Sequence, residues 1–188
     1  MKLYKEITIN NLKEIQTEVL KHFPEDGYKR TSVFYLHDNR ERFLSIPALR
    51  EYLESLDLLD HIDTGFGFSI TKANADIKIH TDSDLFRYSL NIPLVECNDF
   101  YLEFYESIAE PEFLRLNKPQ FNTSTSYKHY RQRDCNLVER IEIRQPFVMD
   151  TECPHRVVNS SNEHALVLLI RLSHSVDNLI DTMFSAYP

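Results

Sequence analysis

The sequence predicts a mainly β fold with helices packed outside it, either a sandwich or a jelly-roll barrel. Three observations predict it. Apolar and polar residues alternate in short runs such as Phe66-Gly67-Phe68-Ser69-Ile70-Thr71, and a period of two marks a strand with one buried face. Polar turn formers separate the runs, as in Asn74-Ala75-Asp76, Cys97-Asn98-Asp99 and Ser160-Ser161-Asn162-Glu163. Aromatic usage points the same way, with 12 Phe and 10 Tyr against only 3 Gly and no Trp. That balance suits a sheet-rich core, and neither GxGxxG nor GxxxxGK[ST] occurs.

The elements follow in chain order. Residues 10–22 read as an amphipathic helix, capped by Asn10 or Asn11, with Leu12, Ile15, Val19 and Leu20 as its apolar stripe. Pro24-Glu25-Asp26-Gly27 ends it, and Val33 to Leu36 offers a short strand before the polar run His37 to Arg42. Ser45 is positioned to cap a second helix, with Pro47 in its first turn and Leu49, Leu53 and Leu56 on one side. Strands are then expected from Phe66, from Ile77, over Ser89 to Leu94 and over Phe100 to Glu106. Residues 107–136 are polar and without a clean period, so loops or a covering flap are expected there. Leu137 to Arg144, Phe147 to Thr151, His155 to Asn159 and Ala165 to Ser173 complete the strands. Ser175 is placed to cap a closing helix, 175–185, with Leu179, Ile180, Met183 and Phe184 on its inner side. The expected organisation is one domain over 1–188, with 1–60 as helical support and 63–173 as the β core.

Composition narrows the function. A chain of 188 residues can bury one substantial core. Its net charge of −8, with no dominant basic cluster, argues against general affinity for a nucleic-acid backbone. No apolar run approaches a membrane span, and the first residues carry no apolar signal region. Cys97, Cys135 and Cys153 are odd in number and lack CxxC spacing, so a disulfide framework or zinc knuckle is not expected. A reducing, cytoplasmic location is the expectation.

The chemistry centres on Ile77-Lys78-Ile79-His80-Thr81-Asp82. On a strand of that pattern His80 and Asp82 project from one face, and together they supply two of the three ligands in the facial triad that holds non-haem Fe(II). His155, at the start of a strand about seventy residues later, can be returned beside them by the intervening strands. Neutral imidazoles and a carboxylate suit Fe(II), and three protein ligands leave positions open for dioxygen and a bidentate co-substrate. A second HxD triplet, His61-Ile62-Asp63, reads instead as a helix-end histidine and a turn aspartate. His129 and His164 read as exposed loop residues. Cys153 reads as a small buried apolar residue. Of Phe100 to Tyr105, either the Tyr set or the Phe/Leu set faces the interior, and the pattern leaves that open.

These residues resemble the Fe(II)/2-oxoglutarate-dependent oxygenase superfamily, especially its prolyl and aspartyl/asparaginyl hydroxylase-like branches. The resemblance rests on His80-Thr81-Asp82, on Ser89-Leu90-Asn91-Ile92-Pro93, and on Pro154-His155-Arg156-Val157-Val158-Asn159 followed by an apolar strand. It covers residues 63–173 and implies a double-stranded β-helix, a cupin-like jelly roll. It also implies Fe(II) on His80, Asp82 and His155, with 2-oxoglutarate as co-substrate, dioxygen as oxidant, and hydroxylation of an amino-acid, peptidyl or other small substrate. One departure stands out: the usual basic residue for the distal carboxylate of 2-oxoglutarate falls here on Ala165. Arg171, with Ser173 in an Arg-x-Ser arrangement, is the first substitute, its alternative being a rim arginine at a strand end; Arg87 is the second. Arg156, next to a ligand, should point away. Asn91 shares parity with Arg87 and can bond co-substrate or substrate, or serve as a structural amide. Two rival readings remain: a cupin-like metalloenzyme that does not use 2-oxoglutarate, and a non-catalytic β-sandwich binding module.

Overall fold

A computed structural model describes residues 3–23, 34–36, 40–82, 87–116, 125–176 and 179–180. Among them the fold is mainly β: two antiparallel sheets face one another, and three α-helices pack outside. The strands are β1 (Tyr4–Glu6), β2 (Phe34–Leu36), β3 (Ile62–Thr71), β4 (Ala75–Asp76), β5 (His80–Thr81), β6 (Tyr88–Pro93), β7 (Phe100–Ser107), β8 (Glu112–Leu116), β9 (Thr125–His129), β10 (Cys135–Glu142), β11 (Phe147–Asp150), β12 (His155–Asn159) and β13 (Ala165–Leu172). One sheet runs β1-β11-β6-β13-β3-β2. The other runs β10-β7-β12-β5-β9-β8, with β4 also beside β12. The described strands leave the two sheets separate, so backbone hydrogen bonds do not close the jelly roll into a continuous barrel.

Alternation along β13 organises both layers. Leu166, Leu168 and Ile170 join Phe66, Phe68, Leu90 and Ile92 on the face that receives the helices. Val167 and Leu169 point the other way and pack, with Phe147 and Met149, against Phe100, Leu102 and Phe104 of the opposite sheet. β13 is thus buried on both faces, which is why it reads as an unbroken apolar run. The same packing answers the open question in β7: the Phe/Leu set faces the interior and Tyr101 and Tyr105 the outside.

The helices are α1 (Leu12–Leu20), α2 (Arg40–Leu44) and α3 (Pro47–Ser55). Ile15 and Val19 of α1, Phe43 of α2 and Leu49 and Leu53 of α3 are fully buried against the sheet. Phe43 stacks on Phe66 at 4.9 Å between ring centres and meets Phe68 edge-on at 5.8 Å, pairings worth about 1 kcal/mol each beyond their burial.

Several expectations are corrected. α2 begins inside the run His37 to Arg42 that reads as merely polar, because Phe43 alone supplies its buried contact. Ile46, not Ser45, precedes α3; the Ser45 hydroxyl donates instead to the Arg42 carbonyl and closes α2. Asn11 does sit at the start of α1, but its amide donates to the Ala48 carbonyl at 3.4 Å rather than capping the helix. The Ile77 strand is broken into β4 and β5, with Ile77 held by one bond from its N–H to the Val157 carbonyl. Asp63 lies in β3 rather than in a turn. Within 107–136, β8 and β9 form an antiparallel pair that adds to the second sheet through β5. The turn Pro24 to Gly27 and most of the closing helix lie outside the described residues, although Ile180 is buried in the helical core.

Candidate metal centre

Three strands of the second sheet bring three histidines to one interior face. His80 of β5 stands opposite His155 of β12 on one side and opposite His129 of β9 on the other. Directly opposed residues share a face, so the ladder that sets the fold also sets the cluster. The His80 and His155 rings lie 4.5 Å apart and the His80 and His129 rings 6.2 Å. Asp82 follows β5, and its N–H donates to the Thr151 carbonyl; Thr151 in turn donates from N–H and hydroxyl to the Arg87 carbonyl. Two loops from different parts of the chain are thereby stitched together at the carboxylate. The turn before His155 is held by a bond from the Tyr105 N–H to the Pro154 carbonyl.

The tautomers are fixed by the backbone. His80 Nδ1 lies 2.7 Å from the Lys78 carbonyl oxygen, and His155 Nδ1 lies 2.8 Å from that of Cys153. A carbonyl can only accept, so each Nδ1 carries a proton, and Nε2 is the ring atom left to ligate a metal. Such outer hydrogen bonds orient histidines for metal. Burial pushes the His155 imidazole down to about 4, with a further push from His80, so it is neutral at physiological pH. Burial alone would raise the Asp82 carboxyl, but the Arg171 guanidinium, with His80 and His155, holds it well below the usual carboxylate range. One ionised carboxylate and two tethered imidazoles therefore converge in a buried place.

The ligand atoms of His80, Asp82 and His155 all lie within 4.8 Å of one another. His80 Nε2 and Asp82 Oδ1 are 3.6 Å apart, beyond hydrogen-bond length and within the span of two metal–ligand bonds of about 2.1 Å. By donor type and spacing these residues fit a divalent metal ion.

Arg171 turns into the interior beside this cluster and is 4 % exposed. Its Nη1 lies 2.5 Å from Asp82 Oδ2, so one carboxylate oxygen faces His80 and the other faces Arg171. Arg171 is therefore not a rim residue. Asn91 and Ser89 of β6 occupy the same interior face, opposite Leu169 and Arg171. The Asn91 amide donates to the Ser89 carbonyl and accepts from the Ser89 hydroxyl. Arg87 bonds Asp150 at 3.2 Å. Ser173 lies past the end of β13, and its hydroxyl pairs with that of Ser175, which also meets His61. Ala165 is part of the apolar interior. Burial pushes the Cys153 thiol up to about 11, with Asp150 adding to the rise, so it is not a ready thiolate. Arg156 turns to the outer face, where it bonds buried Glu103 at 2.5 Å alongside Tyr105, and also Asp76.

His129 is the residue that sequence reasoning misplaced in a loop. It ends β9, and its Nδ1 is buried without a hydrogen-bond partner among the described residues. Burial, then His80 and Lys78, lower its affinity for a proton. The usable signal was Thr125-Ser126-Tyr127-Lys128-His129-Tyr130, a run with three β-favouring residues.

No protein-family model and no curated protein matches the sequence. Solved structures do resemble the fold. AviO1 from Streptomyces viridochromogenes Tue57 superimposes with a TM-score of 0.53 at 11% identity, over 91% of this chain and 89% of that one. A prolyl-4-hydroxylase from Pseudomonas putida gives 0.48 at 14% identity, over 90% and 86%. A non-heme monooxygenase, ThoJ in its nickel complex, gives 0.43 at 8% identity, over 92% and 73%. At 11% identity the AviO1 likeness speaks for the fold, and the weaker two add no argument to it.

Proposed function

We propose that the protein is an Fe(II)- and 2-oxoglutarate-dependent oxygenase that hydroxylates an aliphatic C–H bond of an amino-acid, peptidyl or other small substrate. The observation that carries the reading is the convergence of half-buried His80 with buried Asp82 and His155, each imidazole tethered through Nδ1 and Asp82 held ionised. His80, Asp82 and His155 would hold the iron. Bound there with 2-oxoglutarate and dioxygen, iron would supply the oxidising power for hydroxylation, with 2-oxoglutarate consumed to succinate and CO2. The chain's own task is to orient and to exclude water. The Lys78 and Cys153 carbonyls hold the two imidazoles in register. Arg171 fixes Asp82 by its second oxygen, which leaves Asp82 a one-oxygen ligand. Phe104, Leu169 and Met149 wall the interior with apolar surface.

Arg171 is our first candidate for the distal carboxylate of 2-oxoglutarate, because it is a buried guanidinium on the interior face beside the triad. Asn91, on the same face, is the candidate for a further polar contact. Arg87 and Ser173 keep a lower place, being engaged with Asp150 and Ser175. The same engagements favour a second reading, a cupin-like metalloenzyme without 2-oxoglutarate, since Arg171 and Arg87 each meet an acidic side chain of this chain.

Anaerobic Fe(II) titration with and without 2-oxoglutarate separates the readings. The first expects a visible metal-to-ligand charge-transfer band that disappears in His80→Ala and shifts in Arg171→Lys. Iron binding indifferent to 2-oxoglutarate supports the second reading. Failure to bind iron removes both and leaves a β-sandwich binding module.

A further inference from the structure

His80 and His155 sit on strands that barely touch. Among the described residues β5 meets β12 through the single pair His80 and His155, so their ladder does little to fix how far apart the rings stand. β12 is gripped from its other side. Three consecutive residues of β7 hold the three around His155: the Glu103 carboxylate takes the Arg156 guanidinium, Phe104 stands opposite His155, and the Tyr105 N–H donates to the Pro154 carbonyl. Glu103 is 2 % exposed although it lies on the outer face. A carboxylate is buried only where its charge and lone pairs are met. Arg156 Nε and the Tyr105 hydroxyl each donate to its Oε2 at 2.5 Å, and Arg140 lies 3.4 Å from its Oε1. Neither Glu103 nor Arg156 faces the triad, so the chemistry leaves both without a part.

Arg156 does more than neutralise Glu103. Its Nη1 lies 3.2 Å from Asp76 Oδ2. Asp76 ends β4, and Ile77, Lys78 and Ile79 lead from it to His80. One guanidinium thus joins the strand that begins with His155 to the segment that leads to His80, on the face opposite the rings. We propose that Glu103, Arg156 and Asp76 form a brace that sets the spacing of His80 and His155, with Arg156 as the positioning residue and Glu103 as its anchor. Arginine suits the task because its planar fork serves one carboxylate through Nε and another through Nη1 in fixed geometry, which the single ammonium of a lysine does not. The two ends divide the work. Glu103 is buried, whereas the Asp76 side chain is 58 % exposed, and an exposed ion pair adds little to stability. The Asp76 end therefore acts on position. The bearing of the brace on a metal rests on the oxygenase reading; the brace itself does not.

Asp76→Asn is the informative variant, since it should leave the urea midpoint of the full chain unchanged. In the presence of chelator, nuclear Overhauser contacts between the His80 and His155 rings, whose centres are 4.5 Å apart, should weaken in Asp76→Asn. Arg156→Lys, which keeps the charge but not the fork, should weaken them too. They should persist in Arg144→Gln, which breaks the Arg144–Glu142 pair of the β10 end. Titration with Co(II) should then show affinity lowered about tenfold in Asp76→Asn and Arg156→Lys, with a changed visible d–d spectrum, and neither change in Arg144→Gln. Ring contacts unchanged in both variants overturn the proposal. So does an Asp76→Asn urea midpoint that falls in step with the ring contacts, because the pair would then serve general stability. Ring contacts weakened with Co(II) affinity and spectrum unchanged overturn the link to the metal ligands. If wild type takes up no Co(II), the oxygenase reading falls, and the ring contacts of the chelated protein alone decide the brace.

Discussion

At the scale of single residues, the site is a competition between burial and charge. Asp82 is ionised in a place that would ordinarily neutralise it, and Arg171 is what decides the outcome. Arg171→Met should cost about 3–5 kcal/mol in urea unfolding, since it strands a buried carboxylate. The double variant with Asp82→Asn should recover part of that loss, and additive costs would show that the two side chains are not coupled. His155 gives the pH dependence. Its folded affinity for a proton is lowered, from the ordinary 6.5 to about 4, so the unfolded chain binds more protons through that interval. Its contribution to stability is therefore present above pH 6.5 and is lost as pH falls toward about 4. Unfolding midpoints measured between these limits should fall less steeply in metal-free His155→Gln than in wild type. Parallel slopes would mean that burial does not set the state of His155.

At the scale of elements, period two carried most of the strand assignment, and burial on both faces of β13 is where the core depends on one strand. Leu168 is fully buried; Leu168→Ala should cost about 2–5 kcal/mol by calorimetry, the range for a large cavity in a packed core. A cost below about 1 kcal/mol would mean that the helices do not pack as described. His80, Asp82 and His155 were legible because two of them share a short triplet and the third opens a patterned strand. β8 and β9 were not, because Glu112 to Leu116 and Thr125 to His129 show no alternation and acquire their place only by pairing with each other and with β5. His129 was lost with them, since its position is a register property and not a local one. The shortness of α2 hid it for the opposite reason: five residues with one buried phenylalanine leave no periodicity to detect. The ion pair of Arg171 with Asp82 joins residues far apart in sequence, so parity could place Arg171 on the interior face without revealing its partner.

At the scale of the whole molecule, the space between the sheets is graded, apolar where Phe100, Leu102 and Val167 meet, polar where Asp82, His155 and Arg171 gather. The polar end is held by little backbone structure. β5 is two residues long and meets β12 through the single pair His80 and His155. A metal on His80, Asp82 and His155 would cross-link those strands at their weakest ladder. Binding to the folded state alone stabilises by mass action, about 2.7 kcal/mol at a hundredfold excess over Kd. Mn(II) or anaerobic Fe(II) should therefore raise the thermal midpoint of wild type and leave His80→Ala and His155→Ala unmoved. Hydrogen exchange should localise the gain, with slower exchange at the N–H of Asp82, which is bonded to Thr151, and at that of Ile77, bonded to Val157. Protection spread evenly over both sheets would show only that the global unfolding equilibrium had moved. Protection confined to the β5–β12 junction would show that the ion completes a part of the fold that the ladder leaves thin.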